Sequence, residues 1–276
     1  MKIAVLSGKG GTGKTTVSTS LAFISGITIL DMDIEAPNTQ LFLKEKEFEE
    51  NKVKSCYPEV DMSKCNLCGE CGKFCRFNAI IPAKNRVIVF EESCHDCGGC
   101  EIVCKSGAIT WKAREIGKIF YGKTYFNSRM EYGKLNIGEM SGVKIIKQMY
   151  RENTEKNLII DCPPGTSCTT VAAVEKSDYA IVVTEPSPFG LSDMKLVLKL
   201  LRDLKIPFGI VINKADSKEN LVENYCQEEG IEILEKIPFD RKIAKNYSEG
   251  NIIADILPEY RKSFEKILKR VQKYGD

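Results

Sequence analysis

The sequence predicts an α/β fold: a doubly wound parallel sheet with helices on both faces, interrupted by a small α+β insert. Two patterns point there. Short aliphatic runs alternate with helical segments over much of the 276 residues, the arrangement of parallel strands joined by crossover helices. A cysteine-rich stretch breaks the alternation and is itself duplicated. The implied division is 1–55 with 116–276 for the sheet domain and 56–115 for the insert.

Taken in order, KIAVLS (2–7) is a buried strand ending at glycine, and KTTVSTSLAFI (14–24) has helical periodicity, so the chain opens as strand, glycine loop, helix. ITILDMD (27–33) is a second buried strand. After EAPNTQLFL the composition turns charged and then cysteine-rich, and aliphatic runs resume with NLIIDCPPG (157–165). Strand LIID, helix TTVAAVEKS, strand YAIVVTEP, helix GLSDMKLVLKLLRDL, strand FGIVINKAD, helix ENLVENYCQEEG and strand IEILEKIPFD follow. In 258–276, Tyr260, Phe264, Ile267, Leu268 and Val271 share one helical face opposite Lys and Arg, which predicts packing on the sheet. A basic amphipathic helix lying on a membrane is the alternative, and membrane binding is not expected.

Ligands of such sheets sit at the carboxyl ends of the strands, where SGKGG, DMDIEAP, DCPPGTS, TEPSP and NKAD all fall. A net charge of +2, from 40 basic and 38 acidic side chains, gives no general bias toward nucleic acid or an anionic surface. There is no apolar run of about 18 residues and no signal-peptide layout, so a cytoplasmic location is expected. Twelve cysteines in such a compartment point to metal rather than disulfides.

Gly8-Lys9-Gly10-Gly11-Thr12-Gly13-Lys14-Thr15 satisfies the phosphate-loop pattern between a strand and a helix. Gly10, Gly11, Thr12, Gly13 and Thr16 help form the cradle, whose N–H groups and helix N-terminus face phosphate oxygens. Lys14 would reach the β and γ phosphates, and the Thr15 hydroxyl would ligate Mg²⁺.

Together with LDMD, DCPPG and NKAD, the string KGGTGKTT resembles the MinD/ParA superfamily of deviant Walker-A ATPases, which includes the nitrogenase iron protein and the Mrp/ApbC cluster carriers. The resemblance implies that Lys9 crosses an interface to the partner's ATP in a sandwich homodimer. It further implies that Asp161 holds Mg²⁺ through water, that Asp33 rather than Asp31 handles the attacking water, and that Asn213, Pro238 and Asp240 contact adenine. NKAD also occurs in GTPases, where its aspartate, here Asp216, reads guanine. ATP over GTP therefore rests on the resemblance.

Cys65, Cys68, Cys71 and Cys75, spaced x2, x2, x3, recur 29 residues later as Cys94, Cys97, Cys100 and Cys104, and Ala79-Ile80 recurs as Ala108-Ile109. The insert resembles a bacterial-type ferredoxin, in which the fourth cysteine of each run reaches the other cluster. That resemblance implies one [4Fe-4S] cluster on Cys65, Cys68, Cys71 and Cys104, and a second on Cys94, Cys97, Cys100 and Cys75. It departs where proline is usual: Arg76 and Lys105 stand there. A doubled x2, x2, x3 run is not the zinc pattern.

His95 is expected to be an exposed loop residue, and Cys56 and Cys226 ordinary thiols. Cys162 and Cys168 flank PPGTS, where small-residue packing is expected and a subunit-bridging cluster is the alternative. The C-terminal CxxC of Mrp/ApbC carriers is absent. The functional expectation is an ATPase whose ATP-driven dimerisation and hydrolysis control electron transfer through two clusters to a redox or metallocofactor partner. A cluster-delivering maturation factor and a positioning ATPase with sensing clusters are the alternatives.

Overall fold

The structure is a computed structural model and describes residues 1–126, 128–215 and 220–274. Its centre is the predicted alternation: β1 (Lys2–Leu6), α1 (Lys14–Ser25) and β2 (Thr28–Asp31) before the insert. After it come β8 (Leu158–Asp161), α6 (Cys168–Val174), β9 (Tyr179–Thr184), α7 (Pro188–Asp203), β10 (Phe208–Ala215), α8 (Leu221–Glu228) and β11 (Ile233–Pro238). Three helices close the chain: α9 (Arg241–Ser248), α10 (Ile253–Ile256) and α11 (Pro258–Gln272). Between β2 and β8 lie α2 (Thr39–Leu43), β3 (Glu45–Val60), α3 (Glu70–Phe74), β4 (Ile80–Pro82), β5 (Val87–Val89), α4 (Gly99–Ile102), β6 (Ile109–Thr124), β7 (Arg129–Leu135) and α5 (Val143–Glu152).

The main sheet runs β11-β10-β9-β1-β8-β2-β7-β6-β3. From β11 to β7 every pairing is parallel. Alternate residues of these strands enter two cores. Ala4, Leu6, Leu30 and Ile160 meet α5, α6, α7 and α8 through Met149, Ala173, Val197 and Val222. Ile3, Val5, Ile29 and Ile159 meet α1, α10 and α11 through Leu21, Ile253 and Phe264. Burial on both faces explains the unbroken aliphatic runs. The apolar face of α11 belongs to the second core, with Phe264, Ile267 and Val271 fully buried, so the helix packs on the sheet as expected.

The sheet differs from a purely parallel one at one edge. β6 pairs antiparallel with β7 and β3 antiparallel with β6, and the β3–β6 ladder runs from Glu45↔Thr124 to Val60↔Ile109. Sixteen residues give each strand a length of about 54 Å. The segment EKEFEENKVK reads as a solvated charge run because Val53 is its single buried position. Its ladder comes from pairing with a strand distant in sequence. β6 leaves β7 at Gly117, next to a register shift at Val53/Lys54 that skips Ile116, and the two long strands continue from Lys54↔Glu115 across 55/56 as a stalk.

The stalk carries the cysteine segment at its tip, and the sequence repeat is a structural one. Left-handed backbone recurs at the 29-residue offset: Leu67 with Asp96, Gly69 with Gly98, Asn78 with Gly107. The end of the stalk pairs Val60 with Ile109, and β4–β5 pairs Val89 with Ile80, the same two positions exchanged between copies. Asp61 N–H bonds Ala108 O at 2.7 Å and Phe90 N–H bonds Ala79 O at 2.8 Å, again exchanged. Ile80, Ile109 and Cys100 form the centre of its small core.

Candidate functional site

Strand-end geometry gathers the loop residues around one cleft of about 740 Å³. Gly13, at φ 96°, caps the start of α1, and a Cβ there would overlap the Asn213 amide, which donates to Thr12 O at 2.7 Å. Only glycine meets both demands. Lys14 is buried against Asp161, Nζ to Oδ1 3.0 Å, with Asp33 at 3.9 Å. The Thr15 hydroxyl donates to the other Asp161 oxygen at 2.9 Å. Burial opposes the Lys14 charge, but the carboxylates of Asp161, Asp31 and Asp33 outweigh it and hold its pKa above the ordinary lysine value.

Asp31 and Asp33 are separated by their partners. Asp31 is fully buried and accepts the N–H groups of Asp33, Asn38 and Thr39 and the Thr39 hydroxyl, at 2.9–3.0 Å. Burial, then the charge of Asp161, push its pKa up to about 7. Asp33 lines the cleft, and burial raises its pKa while Lys14 pulls it down. Asp31 thus shapes the 33–39 turn, and Asp33 faces the space where a phosphate chain would end.

Lys9 turns away from this cleft to Glu185, with which it forms an ion pair. Glu185 also takes Lys214 at 3.3 Å, whose ammonium donates to Gly11 O at 2.8 Å. Pro238, Phe239, Ile243 and Tyr247 form the opposite wall, suited to a flat base. Asp240 sits in that wall, but its carboxylate caps α9 through Lys242 N–H and receives the Tyr260 hydroxyl at 2.7 Å. Asp216 lies outside the described residues.

At the stalk tip, Cys65, Cys68, Cys71 and Cys104 line one small cavity. Cys94 belongs to the other set: burial raises its pKa, the Asp96 N–H opposes that rise, and the charges of Asp96, Cys97 and Cys75 add to it. Burial pushes Cys100 up to about 11, with Cys94 and Cys97 contributing. Each copy also bonds a backbone N–H to its fourth sulfur, Ala79 to Cys75 and Ala108 to Cys104, both at 3.4 Å. Among the described residues no three His, Cys, Asp or Glu side chains converge to hold a single ion. A cubane instead takes one thiolate at each of its iron corners, a more open arrangement.

The sequence model of the CobQ/CobB/MinD/ParA nucleotide binding domain family matches residues 3–253. The chain belongs to that family. It is a P-loop ATPase of the MinD/ParA kind, and in its glycine-loop cleft Lys14 and Thr15 both bond Asp161. An uncharacterized protein of Methanocaldococcus jannaschii is 32% identical over 91% of this chain and 90% of its own length. An iron-sulfur cluster carrier protein of Pyrococcus furiosus is 25% identical over 87% of this chain and 75% of its own. The septum site-determining protein MinD from Pyrococcus horikoshii, solved with Mg-ADP, shares the fold with TM-score 0.63 at 20% identity, covering 99% and 96% of the two chains.

Within this MinD/ParA-type ATPase the remaining cysteines separate by burial. Cys162 is buried in the core beside β8, its thiol 3.8 Å from Ile160 O, and Cys226 is buried on the inner face of α8. Cys168 is exposed as the first residue of α6. His95 is exposed and stacks on Phe77, ring centroids 3.7 Å apart. Glu185, Lys214, Phe239 and Tyr247 were not singled out from sequence. The first two stand in TEPSP and NKAD, strand-end segments that located them without revealing their roles.

Proposed function

We propose that this ATPase couples ATP-driven dimerisation and hydrolysis to electron passage through two [4Fe-4S] clusters toward a redox or metallocofactor partner. The observation that carries the reading is the regrouping of the repeats: the fourth cysteine of the second run, Cys104, stands with the first three of the first run. Four thiols per set fit a retained cubane, and the small core around them joins Cys71, Cys75, Cys100 and Cys104 to five aliphatic residues and Trp111. When bound, such clusters accept and release single electrons.

The chain's own residues supply the switch. The Gly10–Thr16 loop binds the phosphates, Lys14 moves from Asp161 to the γ-phosphate, and Thr15 with Asp161 holds Mg²⁺. Asp33 orients water, whose oxygen attacks the γ-phosphorus as the bond to the bridging oxygen of ADP breaks. Lys9 exchanges Glu185 for the partner subunit's ATP, so bound ATP favours the closed dimer and hydrolysis releases it.

A cluster-carrier role is the second reading, supported by the names of relatives 24–26% identical. Burial of Cys162 counts against a transferable site there. Paired substitutions test the ligand sets. If they are crossed, Cys65→Ser with Cys104→Ser removes about four irons per chain, whereas uncrossed sets would lose about eight. Iron passing to an apo-acceptor during turnover would replace electron transfer with delivery.

A further inference from the structure

The two cysteine sets differ in how they meet the ATPase body. Lys144, in the first turn of α5, ion-pairs with Asp96, which lies between Cys94 and Cys97. Asp96 accepts the Cys56 N–H at 3.0 Å, and the Cys56 carbonyl stands 3.8 Å from the Cys94 thiol. Arg114 reinforces the junction by pairing with Glu139 and donating to Glu91 O at 3.2 Å. A cavity of about 260 Å³ opens between these struts, lined by Arg114, Glu139 and Lys144 together with Ile116, Met140 and Val143. Around Cys65, Cys68 and Cys71, by contrast, the described side-chain bonds of residues 61–73 stay within that segment.

The same end of α5 touches the nucleotide site. Ile34 follows Asp33 and is 1% exposed. A Cβ at Gly142, the residue that starts α5, would overlap the Ile34 side chain, and one at Gly133 would come within 2.6 Å of it. The Ile34 carbonyl also receives Leu135 N–H at 2.9 Å. A close-packed contact of this kind passes a displacement on rather than absorbing it.

We propose that Lys144 is the positioning residue through which the nucleotide site acts on the Cys94, Cys97, Cys100 and Cys75 set alone, leaving the outer set unaffected. The inference rests on the electron-transfer reading. A shift of Asp33 and Ile34 around a γ-phosphate moves Gly142 and the start of α5, and with it the Lys144 ammonium relative to Asp96. A cation near a cluster favours its more negative, reduced form, so moving that cation changes one potential.

The test is an anaerobic EPR-monitored redox titration of the full, iron-loaded chain without nucleotide, with Mg-ADP and with Mg-ATP. The wild type, Lys144→Gln and Lys144→Arg are compared. In the wild type one couple shifts by at least threefold in oxidised-to-reduced ratio at fixed poise, about 28 mV for one electron. The other couple stays put. Lys144→Gln abolishes the shift with ATP hydrolysis unchanged, Lys144→Arg restores it, and the shift persists in Cys104→Ser, which lacks the outer cluster. A shift shared equally by both clusters, or one surviving in Lys144→Gln, overturns this inference and leaves gating standing. No shift in the wild type, or no iron bound, overturns the gating reading and this one with it.

Discussion

Two residues apart at the end of β2, Asp31 commits its carboxylate to the N–H groups of the 33–39 turn while Asp33 faces Lys14 across 3.9 Å. Replacing Asp31 with alanine leaves buried donors without an acceptor and should cost about 1–3 kcal/mol by urea unfolding. Asp33→Asn should leave stability nearly unchanged and lower ATP hydrolysis by about 10²-fold or more in a phosphate-release assay. The raised pKa of Asp31 gives a sign for pH dependence. The native state keeps a proton that the unfolded chain gives up near 3.8, so its stabilising contribution is present below 3.8 and is lost as pH rises toward about 7. Asp33 works ionised. Because burial raises its pKa, the acid limb of the rate profile lies above 3.8, with activity falling as pH falls through it.

At the scale of elements, α5 and α11 make opposite points about amphipathic helices. α5 packs Ile145, Ile146 and Met149 on the sheet, and its start is wedged against Ile34. Gly142→Ala should therefore overpack the contact and destabilise by about 1–3 kcal/mol, read by chemical denaturation. α11 has the composition of a membrane-surface helix, yet Phe264, Ile267 and Val271 are enclosed and Arg270 donates to the Ile233 and Leu234 carbonyls. The full chain with ATP should stay in the supernatant with anionic liposomes, and deletion of 258–276 should produce aggregation as the second core opens. ATP-dependent sedimentation with vesicles would overturn that reading. Among the described residues no helix is long and apolar enough to cross a membrane.

For the whole molecule, the nucleotide cleft lies at the strand ends of a parallel sheet, and the cysteine segment is carried by a stalk grown from the edge of that sheet, with its Cys94 side against α5. Lys9→Ala should retain nucleotide binding, because Lys9 does not line its own cleft, and should abolish ATP-dependent dimerisation measured by light scattering. A dimer that persists in this variant would separate the lysine from assembly. Glu185→Gln should shift dimerisation to lower ATP concentration, because Lys9 is then no longer held within its own subunit.

The glycine loop, the buried parallel strands and the cysteine duplication were legible in the sequence because each depends on local spacing: backbone amides along a loop, aliphatic runs of strand length, thiols three residues apart. Tertiary structure decided the rest. The β3–β6 stalk escaped notice because its stability comes from a register between segments about 60 residues apart, with charged side chains facing water along most of its length. The division of labour between Asp31 and Asp33, the hold of Glu185 on Lys9 and Lys214, and the company Cys104 keeps are likewise relations between strand ends and loops far apart in the chain. No single segment contains them, since a side chain's charge, burial and partner are set only when the sheet order brings those ends together.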